Sequence, residues 1–472
     1  MVKVTLVYPP TIASLDRDIS ATYSVAPISM AYIAAFLKEK GIAVSAIDAK
    51  AEKLSLREIE KRINLEKPDI VGLTAATIQI YEAHTTAKLI KQINKEIVTV
   101  IGGWHASAIP KETLAEFPYF DFAVYGEGEV TMYELVKTLE NGGDVSTIKG
   151  IAYRGDGEIR LTEPHPYIKN LDEMPFPAYE LFPLDKYRFY AFKRKMLELP
   201  VSTSRGCPHK CSFCYKSMGD AVRLRSIESV INEIKRDVEE FGARRIMFID
   251  DTFTLNKKRV VQLCDRLISE GLDKKISWMC ETRVDAVDRQ LLEKMRGANC
   301  VNVSYGIESG NQTILDTIVK NINLKQAQNA VKWAKETGME VDTNFILGNQ
   351  GETRETALDT INFAAELDAD RANFSILVPY PGTQIMEMAE KRVNGLRLLT
   401  KNWRKYGRQM GGALSLESID RRELEKLQMK AYLKFYLRPG KITNLLKILN
   451  IKSIPILLLH QVNTFLKREN RE

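Results

Sequence analysis

Two long runs of strand–helix alternation, with an irregular stretch between them, constrain this chain more than any other feature. In the first run, β-branched and apolar segments at 2–8, 43–49, 70–73, 97–101 and 122–124 alternate with helical patterns at 27–41, 55–65, 80–93 and 130–139. Strands separated by helix-length segments cannot form hairpins, so they lie parallel with helices on both faces, and a doubly wound sheet is expected. The second run has strands at 199–204, 245–249, 277–281, 300–306, 340–347 and 371–378, with amphipathic helices such as 227–241, 257–270, 288–295 and 324–337. Six such units predict an open parallel (β/α)6 barrel, an α/β architecture whose strand carboxyl ends converge on one mouth. Because 472 residues exceed what one core organises, the expected division is 1–142, a linker at 143–196, the barrel at 197–394 and a helical basic region at 395–472. The linker is proline-punctuated, with a hairpin at Gly155–Gly157.

At the start of the second run, Ser204-Arg-Gly-Cys-Pro-His-Lys-Cys-Ser-Phe-Cys-Tyr215 places Cys207, Cys211 and Cys214 on one short loop. Three soft ligands so close together suit an iron–sulfur cluster with one iron left open, or a zinc ion completed by His209 or a distant residue. The chain has six cysteines in all, which argues against a disulfide framework and for a reducing compartment, the cytoplasm by default. Cys264, Cys280 and Cys300 read as small apolar core residues. No signal peptide is read at 1–7, and no apolar run reaches membrane-spanning length.

Polar groups and glycines recur where the barrel strands end: Asp250-Asp251, Glu281-Thr-Arg283, Glu308-Ser-Gly310, Gly348-Asn-Gln-Gly-Glu352 and Pro379-Tyr-Pro-Gly382. Such a set suits a ligand carrying an amino group, a carboxylate, a ribose and a base. In the first run the loops after Tyr8, Leu73, Ile101 and Tyr125 occupy the equivalent ends, and Gly102-Gly103 on one of them permits close approach of a ligand or a tight turn. No Gly-x-Gly-x-x-Gly follows the first strand, which disfavours a dinucleotide.

The cysteine loop, with Phe213 in an aromatic slot before Cys214, and the strand-end motifs over 197–390 together resemble the radical S-adenosylmethionine (SAM) superfamily. The resemblance implies that Cys207, Cys211 and Cys214 hold a [4Fe–4S] cluster whose open iron binds SAM. It further implies that Asp250 and Asp251 meet the SAM amino group, Arg283 its carboxylate, Glu308 the ribose, and Gly348 to Glu352, with Pro379, the adenosyl side. Asn349-Gln350 stands where many relatives have a proline. Over 1–140, the segments Val7-Tyr-Pro-Pro10, Gly72-Leu-Thr-Ala-Ala-Thr77, Ile101-Gly-Gly-Trp-His-Ala-Ser107 and Tyr125-Gly-Glu-Gly-Glu129 resemble the cobalamin-binding domain that precedes many radical SAM barrels. Thr74, Gly102, Gly103 and Glu127 are the cobalamin contacts it implies. The chain lacks Asp-x-His-x-x-Gly, so no histidine is expected below the cobalt, and His105 reads as a loop or pocket-wall residue. The three-part layout resembles relatives of the anaerobic magnesium-protoporphyrin ester cyclase.

The implied activity is a cobalamin-dependent C-methyltransferase working through a 5′-deoxyadenosyl radical. A radical oxidative cyclase is the alternative, and a cobalamin- or redox-responsive binding protein with a structural cluster is the alternative of another class. The implied partners are a small-molecule or lipid substrate and an external electron donor such as flavodoxin or ferredoxin. Of the formal +7, residues 391–472 carry net +13, from 19 Lys/Arg against 6 Asp/Glu, which leaves −6 for the rest. This basic tail, with its apolar 454–459 segment and Lys467 and Arg468, is expected to pack against the barrel, with peripheral contact with a membrane as the alternative; no nucleic-acid module is read.

Overall fold

The computed structural model describes residues 2–10, 25–191, 194–408 and 412–438. The apolar 454–459 segment, Lys467 and Arg468 lie outside the described residues.

The first sheet contains β1 (Lys3–Tyr8), β2 (Ala43–Asp48), β3 (Ile70–Thr74), β4 (Val98–Gly102), β5 (Phe122–Val124), β6 (Ile151–Gly155) and β7 (Glu158–Leu161) in the order β2-β1-β3-β4-β5-β6-β7. The first five are parallel and the last two antiparallel. Helices α1 (Ile28–Glu39), α2 (Leu56–Glu66), α3 (Ile80–Ile93), α4 (Trp104–Ala108), α5 (Pro110–Glu116) and α6 (Gly128–Glu140) complete this unit. Period-two alternation sends Val4 and Leu6 of β1 to one core and Val7 to the other, so both faces are covered. The strand order reverses between β1 and β3, and a doubly wound sheet opens its ligand crevice at such a point. The 143–196 stretch, expected as a linker, instead adds β6 and β7 to this sheet and β8 (Arg188–Ala191) to the next.

The second sheet runs β16-β15-β14-β13-β12-β9-β8. Its six parallel strands are β9 (Arg194–Val201), β12 (Arg245–Phe248), β13 (Ser277–Thr282), β14 (Cys300–Glu308), β15 (Glu340–Leu347) and β16 (Arg371–Ile376), and β8 closes one edge antiparallel to β9. This is the open half-barrel that the alternation predicts. A two-stranded pair, β10 (Ser204–Arg205) and β11 (Arg223–Leu224), pinches the cysteine loop at its base. Helices α7 (Ile227–Glu239), α8 (Lys257–Ser269), α9 (Arg289–Gly297), α10 (Gln312–Thr317), α11 (Leu324–Glu336), α12 (Arg354–Glu366) and α13 (Gln384–Lys391) follow the strands. Side-chain N-caps from Ser226, Asn256, Asp288, Asn323 and Thr353 start the long helices at defined residues. Beyond them a pair, β17 (Leu396–Leu398) and β18 (Leu414–Leu416), precedes α14 (Arg421–Tyr436), which packs against β16 and α12.

One core runs continuously from β1 and α1 through Tyr179, Phe182 and Tyr187 into Leu197, Leu199 and the barrel. Polar bonds cross the same boundary: Tyr187 donates to Asp48 Oδ2 at 2.6 Å, and Trp403 Nε1 donates to Glu116 Oε2 at 2.8 Å. Cys264, Cys280 and Cys300 are buried in this core, with Cys280 beside Trp278 on the helix side of β13. Among the described residues no helix is long and apolar enough to cross a membrane.

Candidate functional site: a cysteine loop facing the first sheet

Backbone geometry shapes the cysteine loop. Gly206 has φ +94°, and a Cβ there would strike the Ala221 carbonyl, so the turn into the loop requires glycine. Cys207 N–H donates to Gly219 O at 3.1 Å, and Cys214 N–H to Cys211 O at 3.1 Å. Ser212 N–H reaches Ile318 O at 3.1 Å, and Ile385 N–H reaches Ser212 O at 3.3 Å, tying the loop to segments that follow β14 and β16.

Cys207 and Cys211 are half-buried and Cys214 is exposed, all as free thiols. Among the described residues no three His, Cys, Asp or Glu side chains gather around one point. Partial desolvation by the surrounding loop pushes the Cys214 thiol up to about 11 even though the residue is exposed, and raises Cys211 against the opposing pull of Lys320 and Arg283. Metal must therefore displace protons to bind.

The paired aspartates face different ways. Asp250, 3% exposed, accepts from Thr203 Oγ1 at 2.8 Å, from Thr203 N–H at 3.2 Å and from Ser204 Oγ, so it braces the root of the loop. Three of its acceptor positions are thus taken inside the protein, which leaves the neighbouring Asp251 the freer of the two toward an outside amino group. Burial raises the Asp250 carboxyl, and these hydrogen bonds oppose the rise. Asp251 is exposed, and its carboxylate carries no hydrogen bond or ion pair among the described residues; partial desolvation and then Asp250 raise its carboxyl, and its charge raises Cys214.

Arg283 is buried, with Nε and Nη2 each 2.9 Å from Asp285 oxygens and Nη2 2.7 Å from Lys320 O, while Nη1 has no partner. An orphaned guanidinium nitrogen beside the cysteine loop fits an incoming carboxylate. Glu308 ends β14 at φ +72° after a register shift, and its Oε1 lies 2.9 Å from Lys320 Nζ. Gly306 makes room for this pair, since a Cβ there would sit 2.5 Å from Glu308 Oε1 and 3.2 Å from Lys320 Nζ. Lys320 Nζ also stands 5.9 Å from the centroid of the Phe213 ring. Sequence reasoning missed Lys320, which follows a short helix with no periodic signal.

The loop after β15 is more enclosed than expected. Gly348, φ +86°, lies beneath Leu416 and Leu424, and Glu352 is fully buried, accepting from the Gly348 and Asn349 amides. Burial pushes its carboxyl up to about 8 against those two amides. Asn349 and Gln350 stand in place of proline by bonding Ile346 O and Thr317 O. Asn349 Oδ1, Gln350 Oε1 and Glu352 Oε1 remain buried without donors, a set that fits the amino and hydroxyl donors of an adenosyl group. Pro379 is buried, and its loop carries Gly382, where an added Cβ would lie 2.8 Å from the Tyr215 ring and 3.2 Å from Ala108 Cβ. The cysteine loop and α4 of the first sheet thus meet at this point.

On the first sheet, Gly103 has φ +89°, and a Cβ would lie 2.6 Å from Thr74 Oγ1 and 2.8 Å from Ala75 O. A Cβ on Gly102 would meet nothing closer than 3.8 Å. Gly103→Ala is accordingly expected to lower stability by about 2 kcal/mol or more, from a strained φ and a clash with backbone, while Gly102→Ala stays within about 0.5 kcal/mol. Urea unfolding of the two variants decides this, and equal midpoints would refute it. Trp104 is 65% exposed beside this turn. His105 is fully buried against Trp403 and Phe117, with Nδ1 3.4 Å from Thr77 Oγ1, and burial lowers it to about 4. It is a core residue of α4 rather than part of a loop, and it is neutral near pH 7.

Glu127, expected as a cobalamin contact, is held by protein groups. Its Oε1 accepts from Arg205 Nη1 at 2.8 Å, and its Oε2 from Arg223 Nη1 at 2.8 Å and from Ile168 N–H at 2.7 Å. The two arginines at the base of the cysteine loop and the Ile168 amide thus occupy both oxygens of the carboxylate.

A family model described as the radical SAM superfamily matches residues 201–364, and one described as a B12 binding domain matches 17–136. The chain is 42% identical over 441 residues to an uncharacterized methyltransferase of Pyrococcus horikoshii, spanning 93% of both chains. It is 32% identical over 420 residues to the anaerobic magnesium-protoporphyrin IX monomethyl ester cyclase of Rubrivivax gelatinosus, spanning 87% of this chain and 74% of that one. Its structure is similar to that of the radical S-adenosylmethionine methyltransferase TsrM from Kitasatospora setae with cobalamin and [4Fe–4S] cluster bound. The TM-score is 0.71 at 17% identity, over 93% of this chain and 90% of that one, a likeness of fold.

Proposed function

We propose, because this chain belongs to the radical SAM superfamily and carries the B12-binding domain of its cobalamin-dependent branch, that it methylates an unactivated carbon of a small molecule. The observation that carries the reading is the meeting of the two ligand faces: Tyr215, next to Cys214, and Ala108, five residues past Gly103, both close on Gly382. When bound, the cluster and SAM supply a carbon radical and cobalamin a transferable methyl group.

The chain's own residues bind, orient and shield. Cys207, Cys211 and Cys214 supply three thiolates and leave one iron for SAM. Arg283 offers Nη1 to its carboxylate, Asp251 takes its amino group, and Glu308, held by Lys320, takes the ribose. Asn349, Gln350 and Glu352 offer acceptors to the adenosyl side, and Thr74, Gly102 and Gly103 form the floor for the corrin. We assign cobalamin to residues 1–142 and cluster and SAM to 197–394. The electron comes from outside the chain, from a donor of the flavodoxin or ferredoxin kind, in the cytoplasm.

The cyclase relative supports cyclisation as a second reading. Anaerobic reconstitution with iron, sulfide and hydroxocobalamin, followed by methyl-labelled SAM, a strong reductant and candidate substrates, separates the two. Methyl transfer puts label in product together with 5′-deoxyadenosine; cyclisation releases 5′-deoxyadenosine and methionine with no labelled product. A preparation that holds cluster and SAM yet releases neither methionine nor 5′-deoxyadenosine would overturn both.

A further inference from the structure

Arg205 and Arg223 are cross-strand partners in the β10–β11 pair, at the neck from which the cysteine loop springs. Two guanidiniums set opposite each other in a buried ladder repel, and they are tolerated only around a shared anion. That anion comes from the first sheet. Glu127 takes Arg205 Nη1 on Oε1 at 2.8 Å and Arg223 Nη1 on both oxygens at 2.9 and 2.8 Å, while Glu129 takes Arg205 Nη2 at 2.7 Å. All four side chains are buried or nearly so. Aromatic rings close the sides: Tyr32 lies 5.2 Å from the Arg205 guanidinium and Tyr167 4.8 Å from that of Arg223. Arg223 Nη2 also donates to Met218 O at 2.9 Å, inside the loop itself. Burial acts to raise the Glu127 carboxyl; the two arginines and the Ile168 amide outweigh it and hold the carboxyl below its ordinary range.

We propose that Glu127 is a positioning residue: as the shared counter-ion of Arg205 and Arg223 it fixes the neck of the cysteine loop to the first sheet and so sets the gap between the two cofactor faces. The proposal rests on the reading above that the loop carries a cluster and that Gly102–Gly103 faces cobalamin. Its scale is set by position, since Arg205 lies two residues before Cys207 and Glu127 follows directly on β5 and its turn. A small rotation of the neck would therefore be carried into the cluster loop.

The test uses the full chain loaded with cluster. Glu127→Gln alone leaves the arginines short of an anion, and it is expected to lower stability and cluster retention, as the loss of any brace would. Glu127→Gln with Arg223→Gln removes the repulsion as well as the grip. Positioning predicts that this double variant regains cluster content and unfolding midpoint, while amide exchange across 206–222 stays about tenfold faster than in the wild type. It also predicts that more 5′-deoxyadenosine is released per methyl transferred. If exchange and coupling return to wild-type values along with stability, Glu127 is only a brace and the proposal fails. Should the double variant not retain its cluster, Glu127→Asp keeps the charge and shortens the reach by one methylene; wild-type exchange there overturns the proposal equally. A wild-type chain that takes up no cluster would sink the functional reading, and the exchange comparison would still decide the clamp.

Discussion

Serine in place of Cys207, Cys211 or Cys214, one at a time, is expected to abolish a stable [4Fe–4S] cluster and all reductive cleavage of SAM. Each thiolate holds a separate iron, and a hydroxyl is a poor, hard substitute for a soft ligand. The fold should survive, because the loop is held by Gly206, the β10–β11 pair and the Ser212 amide rather than by the thiols. Alanine at Cys264, Cys280 or Cys300 should do the reverse. These side chains are fully buried among Trp278, Leu263 and Leu292, so each loss costs about 1 kcal/mol of packing and leaves the cluster intact. Iron and sulfide analysis with electron paramagnetic resonance, set beside urea midpoints for all six variants, gives the comparison. A full, SAM-responsive cluster in any of the first three would refute the assignment, as would a lost cluster in a stably folded variant of the second three.

The two sets of cysteines also mark what can be read in a sequence. Period and spacing are local, and they locate the strand and helix runs closely: 80–93, 122–124 and 340–347 match α3, β5 and β15 end to end. The short α4 has too few turns for a period to register; the hairpin at Gly155–Gly157 is the β6–β7 turn, but the prolines around it read as connection and hid that the pair joins the first sheet. A motif makes site chemistry easiest to read, as at Cys207-x3-Cys211-x2-Cys214, where three soft ligands share one loop. Site chemistry was not legible where neighbouring positions alternate sides. Asp250 and Asp251 are identical as letters, and only the pleat after β12 turns one into the loop's root and leaves the other at the mouth. Lys320 and the ion pairs of Glu127 escaped for a different reason. Their partners, Glu308 and Arg205, are 12 and 78 residues away, and charge complementarity at such separations carries no local pattern.

The pairing of Glu308 with Lys320 leads to the second large effect, in Glu308→Gln. The two side chains are only 10% and 7% exposed, and Lys320 Nζ has Glu308 Oε1 at 2.9 Å, with the Phe213 ring face 5.9 Å away. Neutralising the carboxylate leaves a buried ammonium without its counter-ion, which costs about 3–5 kcal/mol. Glutamine keeps the shape and the same left-handed φ, so the loss is electrostatic rather than conformational. Adding Lys320→Met removes the stranded charge and should return most of that stability, because two apolar or neutral groups in a dry site are no worse than the pair they replace. SAM binding should not return. A carboxylate accepts from ribose hydroxyls more strongly than an amide does, and Lys320 fixes its direction, so both variants should bind SAM about ten- to a hundredfold more weakly than the wild type. Calorimetric titration of SAM into cluster-loaded protein, set beside urea unfolding, separates the two effects. Wild-type affinity in the stable double variant would show that Glu308 serves the fold alone and takes no part in holding SAM.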